Sequence, residues 1–185
     1  MRLRNKILII IALIIVLAVS AFIYLSYIAD YTFEDDRISL TVPAQTSFSV
    51  SAGNNEYFTI IKYYSNDENN ITIDLIKPQN DSMTIYGVKL DVYKIAKKIF
   101  SKDLMDNNSY EVVKDTENLT IYHNKEKNRY TAFVYDEDKK VIAMVCCDNS
   151  QELVEKLAKS LVIKSFTTSG LNVANLDNNS AQTDT

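Results

Sequence analysis

The chain has 185 residues, of which 46% are hydrophobic and 24% are charged, and it contains three glycines, two cysteines and one histidine. These counts exclude a glycine-rich phosphate loop, a disulfide scaffold and a multi-histidine metal site. Beyond residue 29 the chain carries 17 basic and 24 acidic side chains, and this negative balance argues against a nucleic-acid partner, whose phosphates require cations.

The N-terminal segment predicts a membrane anchor. Residues 7–29 carry no charge, and as a helix they would extend about 35 Å, enough to cross a bilayer. The basic segment 1–6 precedes this run and acidic residues follow it, so we expect a single-pass protein with a cytoplasmic N-terminus and its C-terminal domain outside. Small residues before Ala21 also fit a signal-peptide cleavage site. We favour an uncleaved anchor because the apolar run continues past Ser20, and a secreted domain remains the alternative.

Residues 30–166 predict one extracytoplasmic α+β domain, because short alternating apolar segments are separated by polar turns. We expect an antiparallel sheet of about six strands with two main helices, preceded by one transmembrane helix. The alternating segments are residues 38–42, 48–50, 57–64, 71–77, 110–114, 119–123, 129–135, 141–147 and 162–163.

Two segments have helical periodicity. The first carries apolar residues at spacings of four, three and four, namely Val88, Val92, Ile95 and Ile99. The second follows Asn149, which we expect to cap it, and its apolar residues are Leu153, Val154, Leu157, Ala158 and Leu161. From residue 167 to residue 185 the chain is polar, and its sparse apolar content predicts a disordered tail.

Three segments in this order resemble the PsbP/Mog1-like superfamily. They read ISLTVP at 38–43, RYTAFVYDEDKKVIAMVCC at 129–147 and SLVIKSF at 160–166, with a helix between the first two. The resemblance covers most of residues 33–166, although Ala44 and Gln45 stand where the family usually has glycine and an aromatic residue. It implies an α+β fold and roles in binding and assembly without chemistry of its own. A shared fold does not by itself transfer a function.

The reactive side chains predict no catalytic, cofactor-binding or metal site. Cys146 and Cys147 are neighbours on a strand, so they should point to opposite faces, and we expect two buried free thiols rather than a vicinal disulfide or a ligand pair. His123 is expected at a solvent-facing turn. The acidic clusters at 34–36 and 136–138 and the lysines of the first helix (Lys89, Lys94, Lys97, Lys98 and Lys102) are expected to be solvated.

Five Asn-x-Ser/Thr sequons are possible glycosylation sites if the host has the machinery. They are Asn70, Asn80, Asn107, Asn118 and Asn178.

The sequence therefore favours a membrane-anchored binding or assembly module with a protein or cell-envelope partner and no cofactor. The alternative is a secreted or anchored hydrolase that uses carboxylates or a metal. A deep cleft with two carboxylates would favour the hydrolase, and a shallow surface rich in tyrosine would favour the binding module.

Overall fold

The computed structural model describes residues 3–25, 29–65, 67, 69–105, 109–116 and 119–176, and their side chains except at 3–9 and 101–105. The helices in this part of the chain are α1 (Leu3–Ile23), α2 (Val92–Met105) and α3 (Gln151–Ser160). The strands are β1 (Tyr31–Glu34), β2 (Ile38–Val42), β3 (Ser49–Asn54), β4 (Phe58–Tyr64), β5 (Thr72–Pro78), β6 (Ser82–Ile85), β7 (Val88–Asp91), β8 (Tyr110–Thr116), β9 (Leu119–Asn124), β10 (Arg129–Asp136), β11 (Val141–Asp148), β12 (Val162–Ile163) and β13 (Val173–Asn175).

These strands form one large sheet and two small ones. The large sheet has eight strands in the order β13-β3-β4-β5-β11-β10-β9-β8. A three-stranded sheet has the order β1-β2-β12, and β6 pairs only with β7 in a separate hairpin. The fold is α+β with a predominance of strand, at 47% strand and 24% helix.

The predicted sheet of about six antiparallel strands with two main helices is wrong. The main sheet has eight strands, the described residues form three helices, and β13 pairs in parallel with β3. Residues 173–175 lie within the segment whose composition predicts disorder. They are ordered as an edge strand because β3 offers unpaired backbone groups there, a pairing that side-chain composition does not reveal.

The predicted transmembrane helix is also part of this correction. Among the residues that the structure describes, no helix combines the length and the hydropathy needed to cross a membrane.

The main sheet buries apolar side chains on both faces. On the first face, residues such as Ile73 and Val145 pack against α3 and the three-stranded sheet. On the second face, Ile76, Phe133 and Ile142 form a smaller cluster with Tyr93 of α2. The alternation predicted at residues 38–42 is confirmed, because the three apolar residues of β2 are buried and the two polar ones are half-buried.

Both predicted helices begin later than their sequence patterns indicate. The first begins at Val92, since residues 82–91 form the β6–β7 hairpin and the side chain of Asp91 accepts a hydrogen bond from the backbone N–H of Lys94 at 3.1 Å. The second is capped by Ser150, whose side chain accepts a hydrogen bond from the Leu153 N–H at 3.1 Å. Asn149 instead has a φ of +62° and lies one residue outside the cap.

Candidate functional site

The β6–β7 hairpin carries exposed apolar side chains at its tip. Its two-residue turn consists of Tyr86 and Gly87, with φ angles of +49° and +80°. Two positive φ angles define the turn type whose twist matches a β-hairpin, and that type favours Asn-Gly or Gly-Gly. A tyrosine with a positive φ is a strained exception, and strain of this kind is concentrated at functional sites.

One face of the hairpin is apolar from base to tip. Met83 pairs with Leu90, and Ile85 pairs with Val88, so their side chains share a face because strand side chains alternate. The first pair is half-buried at the base, whereas Ile85 and Val88 are 43% and 59% exposed. Tyr86 is fully exposed at the tip. We call these five residues the hairpin tip surface.

The base of the hairpin is fixed to the domain. Lys140, in the β10–β11 turn, forms an ion pair with Asp81 at 3.1 Å, and the backbone N–H of Val92 donates to the carbonyl of Asp81 at 3.2 Å. Asp91 caps α2, as described above. Depressions of about 440 Å³ and 170 Å³ lie beside the base, the second of which includes the half-exposed Tyr57 in its lining. The base of the hairpin is therefore tied to the β10–β11 turn and to α2.

A polar group occupies the second face of the main sheet beside the apolar cluster. Asp74 is 7% exposed, its Oδ1 has no hydrogen-bond partner, and the Lys62 ammonium lies 3.7 Å from that oxygen. Burial raises the pKa of Asp74, and the attraction of Lys62 offsets this only in part. Nearby, Arg129 donates to Asp148 at 2.6 Å and to Thr72 at 3.1 Å. These contacts join strands β5, β10 and β11.

The two cysteines are free and point to opposite faces, as predicted. Cys147 lies in the core of the first face, and its thiol donates to the Ser150 carbonyl at 3.1 Å. The Cys146 thiol lies 3.5 Å from the Thr131 hydroxyl on the second face. Burial raises the pKa of Cys147 to about 12 and also raises that of Cys146. Reactive cysteines need the thiolate form, so both thiols are inert fillers.

A cleft of about 800 Å³ runs along α3 and includes Glu152 and Glu155 in its lining. Lys114 and Lys159 form ion pairs with Glu155, and their hydrogen bonds lower the pKa of that carboxyl. A glycosidic acid catalyst needs the opposite shift, because it must stay protonated near neutral pH. The described residues also hold no group of three or more metal-ligating side chains.

The predicted solvent-facing residues have structural partners. His123 is half-buried, with Nδ1 at 3.3 Å from Glu111, Nε2 at 3.1 Å from Asn128 and its ring stacked on Tyr130. It therefore joins β8 to β10 rather than ending in solvent.

The acidic segment 34–36 also has partners. Asp35 accepts hydrogen bonds at 2.8 Å from the backbone of Arg37 and Ile38 and from the Tyr63 hydroxyl. Burial alone would raise the pKa of Asp35, but these hydrogen bonds and the charge of Arg37 outweigh burial and lower it. The segment is a structural joint rather than a solvated spacer.

The sequons differ in accessibility. The side-chain amide of Asn70 donates to Asp148 at 2.8 Å and is therefore engaged in the fold. Asn80 is exposed at the base of the hairpin, so its side-chain amide is more accessible than that of Asn70 for attachment of a glycan. Asn107, Asn118 and Asn178 lie outside the described residues.

Sequence reasoning missed the hairpin tip surface. Val88 lies four residues before Val92, which is a helical spacing. The pattern therefore predicts a helix that begins too early, within residues that form the hairpin. The sequence does contain a hairpin signal. Gly87 lies between two short segments in which apolar and polar residues alternate, and glycine in a two-residue loop is typical of a hairpin.

The chain matches no protein-family model, no curated protein and no solved structure. The resemblance to the PsbP/Mog1-like superfamily therefore stays a prediction.

Proposed function

We propose that this protein is a membrane-attached binding or assembly module whose hairpin tip surface contacts a protein or another component of the cell envelope. The observation that carries the proposal is a fully exposed, strained tyrosine between two exposed aliphatic residues, on a hairpin whose base is tied to the domain. Tyrosine is enriched among the residues that dominate binding energy, because its ring buries a large area at low entropic cost.

Attachment to the membrane is proposed through residues 7–29, with the N-terminus in the cytoplasm and the domain outside. Every residue from 10 to 25 is exposed, and most of these side chains are aliphatic. An uncovered apolar surface of this length calls for lipid or protein around it. The basic residues before the segment and the acidic residues after it support the orientation.

The chemistry of the domain favours binding over catalysis and over nucleic acid. The carboxyl with a raised pKa, Asp74, lies beside Lys62 on the sheet rather than in the cleft along α3. The negative net charge disfavours a nucleic-acid partner, whereas an apolar tip that carries a tyrosine ring suits contact with a protein surface.

Photo-crosslinking from the tip tests the proposal. A photoreactive amino acid replaces Tyr86 in the full chain in intact cells, and Lys127, exposed in the β9–β10 turn, is the matched control position. We expect a discrete crosslinked species from position 86 that is absent from position 127. Equal labelling at both positions, or none at position 86, would refute the tip as a binding surface.

Protease treatment of intact cells tests the orientation separately. We expect the domain to be digested while the apolar segment stays in the membrane fraction. Protection of the domain would place it in the cytoplasm, and a soluble domain beginning at Ala21 would mean that it is secreted.

A further inference from the structure

The C-terminal segment, residues 166–176, is held firmly to the domain in its first half, residues 166–171. Arg37, 7% exposed, donates from Nε to the Thr167 carbonyl and from a terminal nitrogen to the Ser169 carbonyl, both at 2.7 Å. Phe166 and Leu171 pack against the main core on either side of these contacts. A buried guanidinium that satisfies two backbone carbonyls is a strong anchor, because charge-assisted hydrogen bonds are the stronger kind.

The second half of the segment is held lightly. β13 makes only three residue pairs with β3, all of its residues are exposed, and parallel pairing is slightly less stable than antiparallel pairing. Directly after β13, the side chain of Leu176 lies on Gly53. A Cβ at Gly53 would stand 2.7 Å from the Leu176 Cδ2 atom. Gly53 therefore forms a notch that Leu176 fills.

A short connection separates the two halves. Gly170 has a φ of +77°, which glycine adopts without strain, and the Leu171 N–H closes the turn onto the Thr168 carbonyl at 3.0 Å. Residue 172 follows this turn outside any helix or strand, so displacement of β13 from that point leaves the Arg37 contacts and the packing of Leu171 intact.

We infer that the edge of β3 and the Gly53 notch accept the β13 segment of a second copy of this chain. A second copy carries the same residues 173–176, so the exchanged strand reproduces every contact of the original one, which makes strand exchange a low-cost route to dimers. Confinement to a membrane raises the effective concentration of neighbouring copies. The inference deepens the proposed assembly function and relies on it for that confinement.

A disulfide trap tests the exchange. Asn54 and Asn175 are directly paired across β3 and β13, and neighbouring strands bring Cα atoms within disulfide range. One tagged full chain carries Asn175→Cys and a differently tagged full chain carries Asn54→Cys, and the two are co-expressed in the same membrane and oxidised there. We expect a disulfide between the two chains. The control replaces Asn54→Cys with Ser49→Cys, because Ser49 lies on β3 beyond the pairs with β13.

Two further substitutions sharpen the result. Gly53→Val on the chain that donates the strand crowds the Leu176 side chain of its own tail, and Ala174→Pro on the accepting chain weakens the tail that competes there. Together they should raise the yield of the mixed disulfide by up to about tenfold, because the competing intramolecular state is weakened in both chains.

A single chain with both cysteine substitutions shows whether the pairing can be trapped at all. If it forms the internal disulfide while the co-expressed pair of single-cysteine variants forms no mixed disulfide, exchange is refuted. A mixed disulfide of equal yield with Ser49→Cys would refute it as well. Crosslinking from position 86 involves neither β3 nor the tail, so the binding proposal and the exchange proposal can fail independently.

Discussion

The β10–β11 and β6–β7 hairpins have opposite designs. β10 and β11 form eight residue pairs within the main sheet, and Asp136 accepts the Lys139 N–H at 2.8 Å to close a polar turn. β6 and β7 form four pairs outside that sheet and end in an exposed tyrosine.

The difference separates residues that stabilise the fold from residues available for binding. Side chains of β10 and β11 are buried on both faces of the sheet, so their burial contributes to the free energy of folding. The tip of β6–β7 buries little and accepts backbone strain at Tyr86. A surface that costs stability and covers no core is consistent with the proposed binding role, and the predictions below test that separation.

The largest expected contrast is between Phe133→Ala and Tyr86→Ala. Phe133 is 1% exposed, and its ring packs against Tyr122 and Tyr135, so its truncation should lower the free energy of unfolding by about 3–5 kcal/mol. Tyr86→Ala should change it by less than about 0.5 kcal/mol. Chemical denaturation of the full chain in detergent measures both. A comparable loss in the two variants would show that the tip is part of the folded core.

A second contrast concerns turns. The Asn124 Oδ1 atom accepts the N–H groups of Glu126 and Lys127 at 3.1 and 3.0 Å, and Asn124 is 5% exposed. Asn124→Ala leaves both turn amides without this acceptor, so the free energy of unfolding should fall by about 1–3 kcal/mol. Thr84→Ala, at an exposed position of β6, is the control and should be nearly neutral. The same denaturation experiment decides, and a neutral Asn124→Ala would contradict the assigned role.

The main sheet and the β6–β7 hairpin also differ in how well the sequence predicts them. The strands of the main sheet were predictable because short apolar runs rich in β-branched residues and bounded by turn signals indicate strands, as in residues 71–77 and 141–147, although both strands are buried on both faces. The number of strands was not predictable, because β13 is selected by the free edge of β3 and not by its own composition.

The candidate site was less predictable than the fold. The α2 stripe in the structure consists of Val92, Tyr93, Ala96 and Phe100, while Val88 and Ile99 are exposed. Both the buried and the exposed apolar residues lie at helical spacings, so spacing alone does not tell which of them pack against the sheet. Strain at Tyr86 is a property of the backbone, and nothing in a Tyr-Gly pair announces that the tyrosine has a positive φ.

A third prediction concerns Asp74, whose substitution should raise the free energy of unfolding, whereas Phe133→Ala and Asn124→Ala should lower it. Because burial raises the pKa of Asp74 in the folded state, that state binds the proton more tightly, and ionisation costs stability as pH rises above the unfolded value of about 3.9. Asp74→Asn removes this cost, so it should raise the free energy of unfolding at pH 7 by less than Asn124→Ala lowers it. The gain should shrink as pH falls towards 4. Unfolding measured across pH tests this, with exposed Asp138→Asn as the control. A gain independent of pH would contradict it.

A small expected gain in stability is the most informative about function. Asparagine adopts a positive φ more readily than tyrosine, so Tyr86→Asn should relieve strain and raise the free energy of unfolding by about 0.5–1 kcal/mol. The same substitution removes the exposed ring that we propose to contact the partner.

The matched experiment keeps a photoreactive residue at Val88, which is also at the tip, and compares its crosslinking with tyrosine or asparagine at position 86. Stabilisation together with loss of the crosslinked species is the result expected of a site that exchanges stability for binding. Stabilisation with unchanged crosslinking would show that the ring does not contribute to binding, and destabilisation would show that the strain at Tyr86 is compensated within the fold.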